Sequence, residues 1–172
     1  MLTVIILTKN EGLHLSRCLE SVIHIADFVL VVDSFSTDST GEIARSFKAK
    51  FIENDFINHA QQFNFALTQV PIETKWVLRL DADEYLTPRL CNSIMRALDA
   101  KSRFNGFTLK RRIIFCGKLI RFGGIFPVEI LRLFRYGEGV CEHRWMDEHI
   151  KVVGKTVVLE GELIDDNLNS LS

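Results

Sequence analysis

Two carboxylates, Asp81 and Asp83, stand one residue apart at the end of an apolar run. The run itself, from Trp76 to Leu80, alternates in the manner of a β-strand that is buried mostly on one face. Ligands of open α/β sheets collect outside the carboxyl ends of the strands, so both aspartates are expected at a binding rim. Two carboxylates this close repel each other unless a cation lies between them, and oxygen ligands favour a hard ion such as Mg²⁺ or Mn²⁺. The alternative is a solvated acidic turn before a helix, because the Asp-x-Asp pattern alone is weak.

Polar side chains also end the first two predicted strands. Thr8, Asn10 and Glu11 follow the first apolar run, and the Ser/Asp-rich segment 33–38 follows the second. Since the carboxyl ends of parallel strands meet at one edge of a sheet, the three clusters are expected to share a rim. Their oxygens could accept from the imide N–H of uracil or from ribose hydroxyls. Taken alone, segment 33–38 also suits an ordinary turn that caps a helix.

The elements that position these residues follow a βαβ pattern, because apolar runs alternate with helical periodicity through the first half of the chain. This pattern predicts an α/β fold with a mainly parallel sheet flanked by helices. The predicted strands in this half are 2–7, 28–32, 51–52 and 76–80. Four helices are predicted between and after these strands. The first has a core stripe of Leu15, Cys18, Leu19, Val22 and Ile23, and the second begins with a capping box of Ser39 and Glu42. The third is capped by Asn58 and buries Phe63, Ala66 and Leu67, and the fourth begins at Thr87 and Pro88.

The second half of the chain has a different sequence pattern. Segments 106–112, 115–122 and 130–134 suit strands, and the glycines and proline between them favour antiparallel or mixed pairing. No linker or repeat interrupts the chain, so residues 1–172 are expected to form a single domain.

Composition narrows the function classes. A chain of 172 residues with 47% hydrophobic and 25% charged residues suits an ordinary globular domain, and a net charge of −1 argues against nucleic-acid binding. The opening apolar run is too short for a signal peptide, so the cytoplasm is the expected location. The four cysteines are dispersed, which predicts buried thiols rather than a zinc site or a disulfide framework.

The polar clusters, together with their order and spacing, resemble family 2 glycosyltransferases with the GT-A fold. The segments that carry the resemblance are 4–11, 31–40, 61–67, 80–84, 131–135 and 147–149. Within that family the chain is most similar to small bacterial enzymes of cell-surface polysaccharide or lipopolysaccharide assembly. The resemblance implies inverting transfer from a nucleotide-diphosphate sugar, usually a UDP-sugar, to the hydroxyl of a glycan or lipid-linked acceptor, with Mg²⁺ or Mn²⁺ holding the diphosphate.

The resemblance also assigns roles to individual residues. It places Asp83 as the main metal ligand and Asp81 against both the ribose and the metal, and it makes Glu148, with Asp147 next, the catalytic base. Those two acids could instead pair with Arg144 or His143 on a solvated loop. The residues expected to bind the nucleotide sugar are Thr8, Asn10, Glu11, Asp33 (nearest the base), Ser36, Asn64 (ordering the site) and Asp81.

Two departures from the family pattern stand out. A late histidine near the metal is replaced by the stretch 163–167, in which an aspartate could still bind a hard cation. The chain also stops where relatives continue with acceptor-side helical sequence, so we expect a missing segment, with self-association or peripheral association at the inner face of the membrane. Two other functions stay open: a haloacid-dehalogenase-like phosphatase, in which the first aspartate is the nucleophile, and a sugar-nucleotide-binding module without catalysis.

Overall fold

The structure is a computed structural model that describes residues 1–99, 103–120, 128–141 and 150–169. Its helices are α1 (Leu15–Val22), α2 (Thr40–Ser46), α3 (His59–Thr68) and α4 (Pro88–Asp99). Its strands are β1 (Leu2–Thr8), β2 (Phe28–Asp33), β3 (Lys50–Glu53), β4 (Trp76–Asp81), β5 (Glu84–Leu86), β6 (Gly106–Phe115), β7 (Lys118–Leu119), β8 (Val128–Arg135), β9 (Gly139–Cys141), β10 (Ile150–Val152) and β11 (Thr156–Asp166).

A nine-stranded sheet forms the centre, in the order β3-β2-β1-β4-β8-β6-β11-β5, with β7 beside β6. Strands β1 to β4 run parallel to one another, whereas β8 is antiparallel to both β4 and β6. Strand β11 runs parallel to β6, and β9 and β10 form a separate two-stranded sheet. The predicted α/β class, with a parallel first half and mixed pairing in the second, is therefore confirmed.

Apolar cores lie on both faces of the sheet. Trp76, Leu78 and Leu80 of β4 join the core beneath α1, α2 and α4, while Val77 joins the core beneath α3. The prediction that this strand is buried mostly on one face is wrong, because Arg79 is also buried. A central strand with helices on both sides has no solvent face, so alternation along β4 separates two cores rather than inside from outside.

Two details of the helix ends differ from the predictions. The Ser39 side chain makes no capping bond; Asp38 instead accepts the backbone N–H of Thr40 at 3.0 Å and that of Gly12 at 2.9 Å. The Asp38 carboxylate thus ties the start of α2 to the loop after β1.

Ile23 lies just beyond α1 and is exposed, whereas the other four residues of the predicted stripe are buried. The predicted Asn58 cap is confirmed, with Gln61 N–H donating to its side chain at 2.8 Å.

Four strands were not predicted from the sequence pattern: β5, which follows shortly after β4, and β9, β10 and the long β11 in the second half. The predicted strand 115–122 is instead a hairpin, in which β6 ends at Phe115 and β7 contains only Lys118–Leu119; residues 121 and 122 lie outside the described part of the chain.

Cys116 in that hairpin is exposed, contrary to the prediction of buried thiols, whereas Cys18 and Cys91 are buried. Among the helices of the described ranges, none is long and apolar enough to span a bilayer.

Gly161 is where β11 passes closest to α4. Its φ is +96°, and a Cβ there would lie 2.6 Å from the Cα of Leu90. We expect Gly161→Ala to lower the free energy of unfolding by about 2 kcal/mol or more, because it adds a backbone overlap to the strain of a positive φ. Gly117→Ala is the matched control: its φ is +71° but the space around it is open, so about 1 kcal/mol is expected. Urea unfolding of both variants checks this, and equal losses would contradict the packing argument.

Candidate functional site

A cavity of about 610 Å³ opens at the carboxyl edge of the parallel strands. Strand register creates it: Thr8 pairs with Asp33 and Leu7 with Asp81, so β1, β2 and β4 end at the same level. The three polar clusters therefore do share one rim. The lining residues are Leu7, Thr8, Lys9, Glu11, Ser34, Phe56, His59, Gln62, Asp81, Ala82, Asp83 and Asp165.

Asp33 lies beneath this rim and is 0% exposed. Its carboxylate accepts the Thr8 hydroxyl at 2.7 Å and both the backbone N–H and the hydroxyl of Ser36 at 2.6 Å. These bonds fix the loop after β2 against the end of β1. The predicted contact of Asp33 with the nucleobase stays a prediction, since in this arrangement both of its oxygens already accept from the protein.

Asn10 and Ser36 connect the two loops. Asn10 has a φ of +55°, its backbone N–H donates to the Ser36 hydroxyl at 2.7 Å, and its side-chain oxygen accepts from Thr37 N–H at 2.9 Å. Asparagine tolerates this left-handed conformation better than most residues. Neither Asn10 nor Ser36 is among the described residues that line the cavity, and the predicted contact of both with the nucleotide sugar stays a prediction.

Lys9 was not singled out by the sequence reasoning, yet it lines the cavity. Its ammonium donates to the backbone oxygens of Ser34 and Phe35, each at 2.7 Å. Phe35 has a φ of +60°, an unusual conformation for a bulky side chain, and Lys9 holds that turn in place. A positive charge therefore stands at the same rim as Asp81 and Asp83.

Glu11 lines the cavity and is bonded to the ring of His14, with 2.7 Å between Oε2 and Nδ1. The buried His14 accepts the backbone N–H of Leu168 through Nε2 at 2.8 Å, so its Nδ1 is the donor to Glu11. Partial burial raises the pKa of Glu11, and Asp83 and Asp38 add to that shift while His14 opposes it. The residues after β11 are thereby attached to the loop after β1.

Asp81 is paired inside the protein. Arg132 donates to its Oδ2 at 2.7 Å, and Arg79 lies 3.5 Å from its Oδ1. Burial raises the pKa of Asp81, but the two guanidinium groups outweigh it and hold that pKa well below its usual range. Glu84 also accepts from Arg132, at 2.8 Å, and is only 1% exposed; burial and the proximity of Asp81 raise its pKa to about 7.

Asp83 differs from Asp81 because, among the described residues, no cationic side chain lies within ion-pair distance of it. It accepts the Asn167 amide at 3.2 Å, and Asp165 lines the same cavity. Burial raises the pKa of Asp165, and the charge of Asp83 raises it further. Arg111 lies 3.6 Å from the Asp165 carboxylate and opposes that shift. Asp83, without a cationic partner among the described residues, thus lies at the mouth of the cavity with a second carboxylate nearby, and such oxygen ligands suit Mg²⁺ or Mn²⁺. Within the described ranges, no three such side chains lie close enough to enclose an ion without other ligands.

Aromatic side chains also line the cavity. Phe56 is 51% exposed and meets the ring of His59 edge-on, with 5.1 Å between ring centroids. His59 and Gln62 come from the first turn of α3, which Asn58 caps. Asn64 lies further along this helix, half-buried and outside the described lining, and its role in ordering the site stays a prediction. The described lining therefore combines acidic and aromatic side chains.

The two proposed catalytic acids, Glu148 and Asp147, lie outside the described residues. Their role stays a prediction. The residue that the sequence reasoning most clearly missed is Arg132, which lies in the apolar segment Val128–Arg135. A charge at an inward position of an apolar strand was the available signal, because a buried cation requires partners.

Comparison with known proteins gives a single family model, described as "Glycosyl transferase family 2", which matches residues 3–133. An uncharacterized glycosyltransferase of Rickettsia bellii is 36% identical over 115 residues, covering 66% of this chain and 38% of that protein. The lipopolysaccharide core biosynthesis glycosyltransferase LpsC of Rhizobium meliloti is 31% identical over 143 residues, covering 80% of this chain and 52% of its own length. The chain thus spans about two fifths to one half of these relatives.

Among solved structures, S. aureus TarS (residues 1–349) is similar, with a TM-score of 0.57 at 19% identity over 78% of this chain and 47% of that chain. Glucosyl-3-phosphoglycerate synthase from Mycobacterium tuberculosis, solved with Mn²⁺, UDP and its product, gives a TM-score of 0.54 at 16% identity, over 66% and 44%. At these identities the likeness concerns the fold, and it confirms the GT-A architecture.

Proposed function

Because the chain belongs to glycosyl transferase family 2, we propose that it moves a sugar from a UDP-sugar to an acceptor hydroxyl with inversion at the anomeric carbon. The observation that carries this proposal is the mixed lining of the cavity at the sheet edge. Asp83 and Asp165 supply carboxylates to that lining, and Phe56 and His59 supply aromatic rings. A nucleotide diphosphate has matching ends: a flat base and a diphosphate that binds a divalent cation.

The donor assignment rests on chemistry and on the fold. Aromatic rings bind bases by stacking, and a half-exposed ring such as Phe56 has a face to offer. Asp81, held ionised by Arg132, is suited to accept from a ribose hydroxyl. The TarS structure has also been solved with UDP, which supports UDP as the nucleotide for this chain.

We further propose that Asp83 holds Mg²⁺ or Mn²⁺, with Asp165 beside it in place of the late histidine of the family pattern. When bound there, the cation would offset the negative charge that builds on the departing diphosphate. Lys9 adds a positive charge at the same rim. Glu11 is bonded to His14, which accepts the backbone N–H of Leu168, so the segment after β11 is attached to this rim.

The acceptor side of the reaction is assigned to Glu148, with Asp147 as the second candidate. Inversion requires a base that takes the proton of the acceptor hydroxyl as its oxygen attacks the anomeric carbon, while the UDP oxygen leaves with the bonding pair. The similarity to LpsC supports a glycan or lipid-linked acceptor in lipopolysaccharide assembly. We propose a cytoplasmic location at the inner face of the membrane, with peripheral association or self-association and no nucleic-acid partner.

The enzymatic proposal is tested by release of UDP from a panel of UDP-sugars, run beside release of p-nitrophenol from p-nitrophenyl phosphate. We expect UDP release that requires Mn²⁺ or Mg²⁺, and no phosphatase activity. The competing phosphatase needs a free nucleophilic aspartate in the position of Asp81, but that side chain is bound by Arg132. Hydrolysis of p-nitrophenyl phosphate without any release of UDP would overturn the assignment, and UDP binding without turnover would identify a binding module.

A further inference from the structure

A closed charge cluster lies beneath the rim, formed by Arg79, Asp81, Glu84 and Arg132; we name it the Arg132 cluster. Arg132 is 7% exposed, and its Nη2 donates to Asp81 Oδ2 at 2.7 Å and to Glu84 Oε1 at 2.8 Å. The other oxygen of Glu84 accepts the backbone N–H of Asp81 at 3.0 Å. Arg132 therefore hydrogen-bonds the side chain of Asp81, and Glu84 hydrogen-bonds its backbone.

Two cations lie beside Asp81. Arg132 is one, and Arg79, 3.5 Å from the carboxylate, is the other. A divalent cation that approached Asp81 would meet both guanidinium groups, whereas one that approached Asp83 meets, among the described residues, no cation within ion-pair distance. The two aspartates of one motif thus present different electrostatic surroundings to the same ion.

Stability alone does not account for this arrangement. A buried ion pair is costly to desolvate, and well-packed apolar residues of similar volume often serve as well or better. Asp81, which belongs to the Arg132 cluster, also lines the ligand cavity, so a change in the cluster acts directly on a side chain of the site.

We propose that Arg132 and Glu84 are positioning residues that give the two aspartates, Asp81 and Asp83, different roles. Arg132, bonded to Oδ2 of Asp81, keeps that carboxylate from the cation and leaves it to accept a hydrogen bond from a hydroxyl of the sugar donor, so that Asp83 is the carboxylate that binds the cation. Glu84 accepts from Arg132 and from the backbone N–H of Asp81, which fixes the turn between Asp81 and Asp83. The inference rests on the proposed function only in taking the cation to bind at this rim.

The test is a mutant cycle on Mn²⁺ affinity, measured by electron paramagnetic resonance without nucleotide. Asp81→Asn and Asp83→Asn are each made in the unaltered chain and in an Arg132→Gln/Glu84→Gln background. That background removes one charge of each sign, so it avoids the stranded buried carboxylates that Arg132→Gln alone would leave. It also frees Oδ2 of Asp81 to turn toward the cation.

In the unaltered chain, Asp83→Asn should weaken Mn²⁺ binding about tenfold or more, the usual scale for losing a group that supports a metal. Asp81→Asn should cost less than about twofold there but roughly fivefold in the Arg132→Gln/Glu84→Gln background, a coupling typical of contacting charged residues. Arg135→Lys is the matched control on the same strand, because Arg135 stacks on Trp76. It should lower stability to urea and leave Mn²⁺ affinity unchanged.

An equal cost of Asp81→Asn in both backgrounds would overturn this inference while leaving the proposed function standing. So would a cost of Asp81→Asn in the unaltered chain that matches the cost of Asp83→Asn. Failure of the unaltered chain to bind Mn²⁺ would overturn the inference together with the cation part of the proposed function.

Discussion

Asp83→Asn should lower metal-dependent sugar transfer by roughly a thousandfold, because a cation at the leaving diphosphate is worth several kcal/mol and each 1.36 kcal/mol is about tenfold in rate. Asparagine keeps the shape of the side chain and removes its charge. The variant should stay folded, since among the described residues no cation depends on Asp83 for pairing. Initial rates of UDP release provide the measurement, taken over a series of Mn²⁺ concentrations that begins below the level needed to saturate the unaltered chain.

Asp55→Asn is the matched control for that change. Asp55 is an exposed acid in the loop after β3, and the described cavity lining does not include it. Both substitutions remove one negative charge near the same edge of the sheet, but only Asp83→Asn should affect transfer. A similar loss in both variants would mean that the general field of the acidic rim matters rather than a cation at Asp83.

The second large effect concerns the catalytic base. Glu148→Gln should leave UDP binding intact and reduce transfer to an acceptor at least a hundredfold, since a positioned base contributes about 10²–10⁴-fold. Glutamine keeps the hydrogen-bonding shape but cannot take the proton. Comparing UDP affinity by calorimetry with the transfer rate separates binding from chemistry.

Glu138→Gln is a control for this substitution, because Glu138 is an exposed acid in the turn before β9. It should change neither quantity. Full activity in Glu148→Gln with loss in Asp147→Asn would move the role to Asp147. Full activity in both variants would remove this loop from the mechanism.

The rim could be predicted from the sequence because its signal is local. Each parallel strand is a short apolar run that stops at polar residues, and the strands' common direction brings Thr8, Asp33 and Asp81 to one edge. The pattern could not separate a residue that faces the cavity from one that supports it. Asp33 is wholly buried, and its partners come from two elements, Thr8 from the end of β1 and Ser36 from the loop after β2.

The features that the sequence did not reveal depend on long-range pairing. Arg132 meets Asp81 because β8 lies antiparallel beside β4, and nothing near Arg132 in the sequence indicates that neighbour. Strand β11 escaped prediction for a local reason. The run Glu160-Gly161-Glu162 interrupts its apolar pattern at a shift of register, and Gly161 there is where α4 comes close.

The helix caps show the same limit on a smaller scale. Ser39 and Glu42 have the spacing of a capping box, yet Asp38 takes the role because its carboxylate reaches both Thr40 and Gly12. The competing partner, Gly12, is 26 positions away from Asp38 in the chain. A capping motif defined by the residues of one helix therefore could not include Gly12.

Calorimetric titration of UDP into the chain, in Mn²⁺ and again in EDTA, tests most directly whether this cavity is a cation-dependent nucleotide-sugar site. The account predicts saturable binding of one UDP that is at least about tenfold tighter with Mn²⁺, the scale on which ligands and their supports contribute to metal affinity. Phe56→Ala should weaken that binding about fivefold or more, as loss of base stacking does, while the adjacent exposed Ile57→Ala should not. Absence of UDP binding in both conditions, or binding that is equally tight in EDTA and in Mn²⁺, would contradict the account.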